Sequence, residues 1–312
     1  MGSLAAAPHA LRDDAADAVR GILIVAGAYV LLTMGDVAGK WALAPAGIAM
    51  VMLGRGLAGG ATIAGLVAVE GDWRRLMPVR WRLVLFRSVL HAASSLTWYI
   101  AWQVIPLADA YAIGFTAPLV MTLLAIPMLG ERVRWRRMLS TGVGFCGVLV
   151  MVRPGGDLWR PELLILAPGI VGMAISRIMT RTLSTTETAE CLTFWLLAVH
   201  VPAAGLLLLL GFPGPGPLAV DVIVALALLG ILNGVAHWLM ARAYALAPVS
   251  ALAPYEYTPL IWGGMAGYVV FNEAPHASTL AGAAIVAAAG LYNLHRERVR
   301  RAEAVRVKGI EA

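Results

Sequence analysis

Ten apolar runs of about twenty residues constrain this chain more than any other feature. They lie near residues 20–40, 46–69, 81–105, 108–128, 135–152, 162–182, 189–210, 220–244, 249–271 and 277–295. A run of that length matches a helix crossing a hydrocarbon layer about 30 Å thick. Backbone polar groups in such a layer must be satisfied within the segment itself, which for runs this long means α-helix. Composition agrees, with 60% hydrophobic and 13% charged residues where an ordinary soluble domain carries roughly 25% charged. The expected fold is an all-α polytopic membrane protein with ten transmembrane helices. Residues 1–19 and 298–312 form short flanking segments, the second of them a basic tail.

The formal charge of +6 does not point to nucleic acid, because the basic residues sit at the ends of apolar runs rather than on one soluble face. Ten spans put both termini on one side. Connections on that side hold Arg12, Arg20, Arg74, Arg75, Arg80, Arg82, Arg132, Arg134, Arg136, Arg137 and Arg181, and the tail adds Arg296, Arg298, Arg300, Arg301, Arg306 and Lys308. The other side has little beyond Lys40, Arg153 and Arg160. The positive-inside rule then makes both termini cytoplasmic. The acidic start, with Asp13, Asp14 and Asp17, does not read as a signal peptide.

An internal echo organises the runs. A gapless shift that lays His91 on Asn233 also lays Ser95 on His237, Trp98 on Met240, Trp102 on Tyr244, Pro106 on Pro248 and Glu131 on Glu273. The repeat unit contains five spans, so a first half at 20–155 and a second at 162–297 enter the membrane with opposite orientation. Inverted repeats of this kind place a substrate site near the midplane, between the halves. Pro106 and Pro248 fall at the joints between paired spans and, with Pro254 and Pro259, are candidate gating or hinge positions.

The candidate substrate-binding residues come from the polar-aromatic stripes of that repeat. Arg87, His91, Ser94, Ser95, Trp98 and Trp102 share one helical face, as do Asn233, His237, Met240 and Tyr244. Polar groups facing lipid are costly, so these faces point inward, either to a cavity or to each other as interhelical hydrogen-bond partners. Tyr99, Tyr111, Tyr255 and Glu256 join His91, Trp98, Trp102 and His237 in the expected lining. The bland alternatives are an interfacial aromatic belt for Trp102 and an interfacial carboxylate for Glu256. Asp36 and Lys40, four apart, are expected to pair with each other. Arg55, Arg87 and Arg177 can snorkel or bind carbonyls. Glu131 and Glu273 read as helix-end hydrogen-bond acceptors.

Motifs for covalent or metal chemistry are missing from the sequence. No zinc-binding His-Glu-x-x-His, nucleophile elbow or phosphate loop occurs, so no enzyme activity, metal or cofactor is expected. Cys146 and Cys191 read as packed thiols rather than a disulfide. Gly56-x-x-x-Gly60, Gly230-x-x-x-Gly234 and Gly263-x-x-x-Gly267 offer small faces for close helix contact.

Taken together, the paired five-span halves, the Pro106 and Pro248 joints and the endings Met128-Leu129-Gly130-Glu131 and Phe271-Asn272-Glu273 resemble the drug/metabolite transporter superfamily, in particular EamA-type exporters. The resemblance covers roughly residues 20–297, with Asn272 departing from the Gly-Glu ending. His91 and Trp98-Tyr99-x-x-Trp102 look, more narrowly, like the YddG-type aromatic amino acid exporters. That resemblance implies a multi-pass carrier of the bacterial inner membrane, acting as a monomer on small molecules, aromatic amino acids first, by alternating access and facilitated diffusion. The same residues also fit a proton-coupled exporter of other amino acids or drugs, or a nucleoside, cofactor or nucleotide-sugar carrier of the same superfamily.

Overall fold

The computed structural model describes residues 7–129, 135–153, 161–212, 218–246 and 252–310. Every regular element among them is helical: α1 (Ala7–Glu70), α2 (Trp81–Trp102), α3 (Leu107–Gly114), α4 (Ala117–Leu129), α5 (Trp135–Val152), α6 (Pro161–Leu183), α7 (Ala189–Ala198), α8 (His200–Leu209), α9 (Val220–Leu246), α10 (Pro259–Phe271) and α11 (Ala277–Ile310). Short 3-10 turns at Trp73–Leu76 and Ala253–Tyr257 complete the set. Four helical stretches are long and apolar enough to cross a membrane by length and composition, at Val19–Glu70, Leu164–Leu183, Ala189–Leu209 and Val220–Ala243.

The breaks between elements have identifiable backbone causes. α1 carries the first two expected spans and is divided into two arms at Gly47, whose φ of 77° and ψ of 164° are not helical. Glycine alone adopts that backbone without strain. The fourth expected span is interrupted between α3 and α4, because Pro118 has no N–H to return to the carbonyl of Gly114. Pro202 does the same for Ala198, where α7 gives way to α8. Pro106, a proposed hinge, is the residue immediately before α3, with an extended ψ of 147°. Pro259 starts α10 after the turn that contains Pro254. Pro248 and Glu131 lie outside the described residues. The flanking segments differ from their expected form in that α1 begins at Ala7 and α11 runs on to Ile310.

Burial is inverted relative to a soluble protein. Val69 is 90% exposed and Leu209 86%, while His200 and Asn233 are fully buried. That pattern suits a bundle solvated by lipid tails, which puts polar groups inside. Trp73, Trp81 and Trp135 are exposed beside the arginine clusters at helix ends, where amphipathic rings meet headgroups. Cys146 is exposed and Cys191 buried, both as free thiols, so the packed-thiol expectation holds for Cys191 alone.

Helix packing brings distant parts of the chain together. α1 lies along α9, α2 along α6 and α5 along α11, while α3 meets α10, α4 meets α6, α10 meets α1, and α7 touches both α1 and α2. Of the three glycine motifs, Gly230-x-x-x-Gly234 makes the closest backbone approach. A Cβ at Gly230 would stand 2.6 Å from Ala58 Cβ and 2.7 Å from Gly54 O and Gly59 N. Gly60, by contrast, faces open space. Gly230→Ala is therefore expected to force α1 and α9 apart and lower stability by about 1–3 kcal/mol, read as a lowered melting temperature in detergent. Gly60→Ala, in the same assay, should melt like the parent.

Asp36 and Lys40 do not pair with each other. Lys40 Nζ donates to both Glu273 oxygens, at 2.8 and 2.7 Å, and to Ile105 O at 3.1 Å. Asp36 turns instead toward α3 and α9. The expectation failed because helical spacing permits an i,i+4 pair worth only about 0.2–0.5 kcal/mol. Both side chains are buried, and partners from other helices satisfy them more completely.

Candidate functional site

The polar interior gathers on α1, α2, α3, α8 and α9. Asp36 sits on the first arm of α1 and Arg55 on the second, both buried. Tyr111 Oη of α3 donates to Asp36 Oδ2 at 2.8 Å, and Asn233 Nδ2 of α9 to Asp36 Oδ1 at 3.4 Å. Arg55 Nη1 donates to Tyr99 Oη of α2 at 3.1 Å, and its Nη2 lies 3.2 Å from His237 Nε2 of α9. A guanidinium has no acceptor, so His237 must accept on Nε2 and carry its proton on Nδ1 as a neutral ring.

Three imidazoles meet beside this pair. His91 stands edge-on to His237 at a centroid distance of 5.6 Å and to His200 at 6.0 Å. His200 Nδ1 donates to Leu196 O at 2.9 Å, and its Nε2 faces Ser95 Oγ at 3.1 Å. No group of histidine, cysteine or acidic residues arranged to hold a metal occurs among the described residues.

Aromatic rings close the cluster on the α2 and α3 side. Trp98 lies 6.4 Å from Tyr111 and Trp102 lies 5.3 Å from Tyr99, centroid to centroid. Glycine makes room for them: a Cβ at Gly114 would meet the Trp98 ring at 2.5 Å, and one at Gly263 the Tyr111 ring at 2.5 Å. Several polar atoms in this centre are buried without a hydrogen-bond partner among the described residues, namely Arg55 Nε, His91 Nε2, Trp98 Nε1, Trp102 Nε1 and Asn233 Oδ1. Leaving one such atom unpaired costs about 1–3 kcal/mol. Five such atoms lie among the residues of this one cluster.

Of the sequence-derived lining, His91, Trp98, Tyr99, Trp102, Tyr111 and His237 come together here. Tyr255 and Glu256 do not. Tyr255 packs in a separate apolar group with Val25, Tyr29 and Met240. Glu256 Oε2 pairs with Arg177 Nη1 at 2.9 Å. Arg87 binds a carbonyl, as allowed for, donating to Leu192 O at 3.0 Å, and also to Thr180 Oγ1 at 2.6 Å. Glu273 accepts from Leu107 N at 3.1 Å, a helix-end role on α3. Sequence reasoning gave Asp36, Arg55 and His200 no place in the site. The signal was present for Arg55, which lies nine residues into its apolar run, too deep to snorkel.

Comparison with known proteins agrees with this architecture. Residues 19–153 match the EamA-like transporter family. A riboflavin transporter of Rhizobium johnstonii is 33% identical over 224 residues, covering 70% of this chain and 72% of that protein. An S-adenosylmethionine uptake transporter of Rickettsia bellii is 28% identical over 221 residues, covering 69% and 72%. A crystal structure sharing 18% identity superposes with a TM-score of 0.66 over 91% of this chain and 99% of its own, a likeness of fold. These relatives are named for a sulfonium cofactor and a flavin, so they do not carry the narrower resemblance to aromatic amino acid exporters. With its polar interior, lipid-facing apolar exterior and these relatives, the chain belongs to the EamA-like transporter family of the drug/metabolite transporter superfamily.

Proposed function

We propose that this chain is a bacterial inner-membrane carrier, not an enzyme, that moves small cofactor-class metabolites through the central site by alternating access. The observation that carries the reading is the set of buried polar atoms with no hydrogen-bond partner among the described residues, namely His91 Nε2, Trp98 Nε1, Trp102 Nε1, Arg55 Nε and Asn233 Oδ1. The relatives named for S-adenosylmethionine and riboflavin favour a heteroaromatic cofactor over a simple aromatic amino acid. In this reading ten spans form two inverted halves, 20–155 and 162–297, with both termini cytoplasmic and the protein acting as a monomer.

Packing supports the inverted halves. Exchanging them turns the contact of α1 with α9 into that of α6 with α2, and the contact of α4 with α6 into that of α10 with α1. The contacts of α5 with α11 and of α3 with α10 map onto themselves. Rocking about such an axis would open one end of the bundle while closing the other, and the interrupted helices at Pro106 and Pro259 supply the bends. Facilitated diffusion needs no coupling ion, so direction follows the solute gradient.

Proteoliposomes of the full chain should take up S-adenosylmethionine or riboflavin above protein-free vesicles. Trp98→Ala should lower that uptake by about three- to tenfold, the worth of one aromatic contact. Uptake of phenylalanine or tryptophan with neither cofactor carried would return the site to the aromatic amino acid reading.

A further inference from the structure

Two opposite charges lie at the centre of the bundle without touching. Asp36 and Arg55 are 7% and 6% exposed, and neither makes an ion pair among the described residues. Asp36 is held by neutral donors, Tyr111 and Asn233, and Arg55 by neutral acceptors, Tyr99 and His237. Arg55 is still close enough for its charge to act on Asp36. Two buried charges with no further task gain most by closing to contact, since desolvation has been incurred either way and attraction grows as separation falls. Here the fold keeps them apart.

The unpartnered atoms sort by the charge they stand beside. Asn233, bonded to Asp36 through Nδ2, holds a spare acceptor in Oδ1. Asp36 itself accepts two bonds among the described residues, where a carboxylate has room for about four. The Asp36 pole is therefore rich in acceptors. At the other pole Arg55 holds a spare donor in Nε, and His91, edge-on to His237, has an unpartnered Nε2. Each pole also has an indole next to it. Tyr111, bonded to Asp36, stands by Trp98, and Tyr99, bonded to Arg55, stands by Trp102.

From this we infer that the site grips a zwitterionic α-amino acid head, its ammonium at Asp36 and Asn233 and its carboxylate at Arg55, with an attached flat ring lying against Trp98 or Trp102. The inference rests on the carrier reading and narrows it. S-adenosylmethionine bears such a head together with a purine ring, tryptophan bears the head with an indole, and riboflavin has rings without the head. A compound with one pole alone leaves the other buried charge, Arg55 or Asp36, without an opposite partner and forgoes its charge-assisted bond, which is what disfavours one-pole compounds.

The test is competition in proteoliposomes of the full chain, with labelled S-adenosylmethionine and labelled tryptophan as separate probes. Each should displace the other. N-acetyltryptophan, tryptophan methyl ester, adenosine and riboflavin, each missing one or both poles, should need about tenfold higher concentration or more, the factor for a lost charge-assisted bond. Asp36→Asn should weaken uptake of both probes by about tenfold. Because that variant can also disturb packing, the ester and N-acetyl comparisons on the unaltered protein decide the matter. Riboflavin or adenosine displacing S-adenosylmethionine at equal concentration overturns the two-pole grip and leaves a cofactor carrier standing. Tryptophan carried without either cofactor removes the cofactor reading and keeps the grip. Failure of both head-bearing probes to be carried overturns the grip, and riboflavin uptake in the same vesicles then tells whether the carrier reading survives it.

Discussion

Glu273→Leu is expected to cost about 3 kcal/mol of stability, measured as a lowered melting temperature of the solubilised protein. Glu273 joins three parts of the fold: Lys40 on the first arm of α1, Leu107 N at the start of α3, and the end of α10 from which it projects. Removing one partner of a buried pair typically costs about 3–5 kcal/mol, mostly because the other charge is left stranded. Lys40 has only 8% of its side chain exposed, whereas Glu273 has 28%, and that partial hydration sets the lower end of the range. Lys40→Met combined with Glu273→Leu should recover most of the loss, since neither charge of the pair is then left stranded. The double variant should still melt below the parent, because Leu107 N and Ile105 O lose their partners, at about 1 kcal/mol for a capping bond. A double variant as unstable as Glu273→Leu alone would mean that the latch acts through something other than its charges. Arg177 and Glu256 form a second ion pair beyond the opposite end of α10, so each end of that helix is tied to a neighbour.

Much of the fold was legible because its signals are local. Run length against membrane thickness located the helices, and prolines accounted for most interruptions. The break between α3 and α4 was legible in principle through Pro118, but the apolar run continues across it and hydrophobicity is blind to a missing N–H. The two arms of α1 were separated correctly in position. The glycine motifs were less informative, because Gly56, Gly230 and Gly234 each meet a facing helix closely whereas Gly60, at the same spacing, faces open space.

The site was legible as a stripe and illegible as a network. His91, Trp98, Trp102 and His237 lie at helical spacing on two related spans, and inverted burial explains why they meet. Asp36 was assigned to Lys40 because the two are neighbours along a helix, which says nothing about Tyr111, 75 positions away. Glu256 looked suggestive as a carboxylate inside an apolar run, yet Arg177 on another helix satisfies it. Charges choose partners across the bundle, and one sequence does not display those distances.

Arg55→Lys is expected to lower uptake by about ten- to a hundredfold. The arginine bonds Tyr99 and His237 through separate nitrogens, at 3.1 and 3.2 Å, and leaves Nε without a partner among the described residues. A lysine keeps the charge but offers one compact ammonium on a flexible stem in place of a rigid fork. It can reach one of the two acceptors well, or neither, and has nothing equivalent to the spare Nε–H. Each charge-assisted bond lost is worth about 1.5–3 kcal/mol, which gives the stated range when one bond goes. Arg55→Gln removes the charge as well, so it should transport less than Arg55→Lys by a further margin. If the lysine variant carries substrate at the parent rate, the interior needs only a positive charge there, and the fork that fixes His237 as a neutral acceptor has no part in transport. If both variants lose uptake equally and melt far below the parent, Arg55 holds the bundle together, with Tyr99 and His237 as its structural partners.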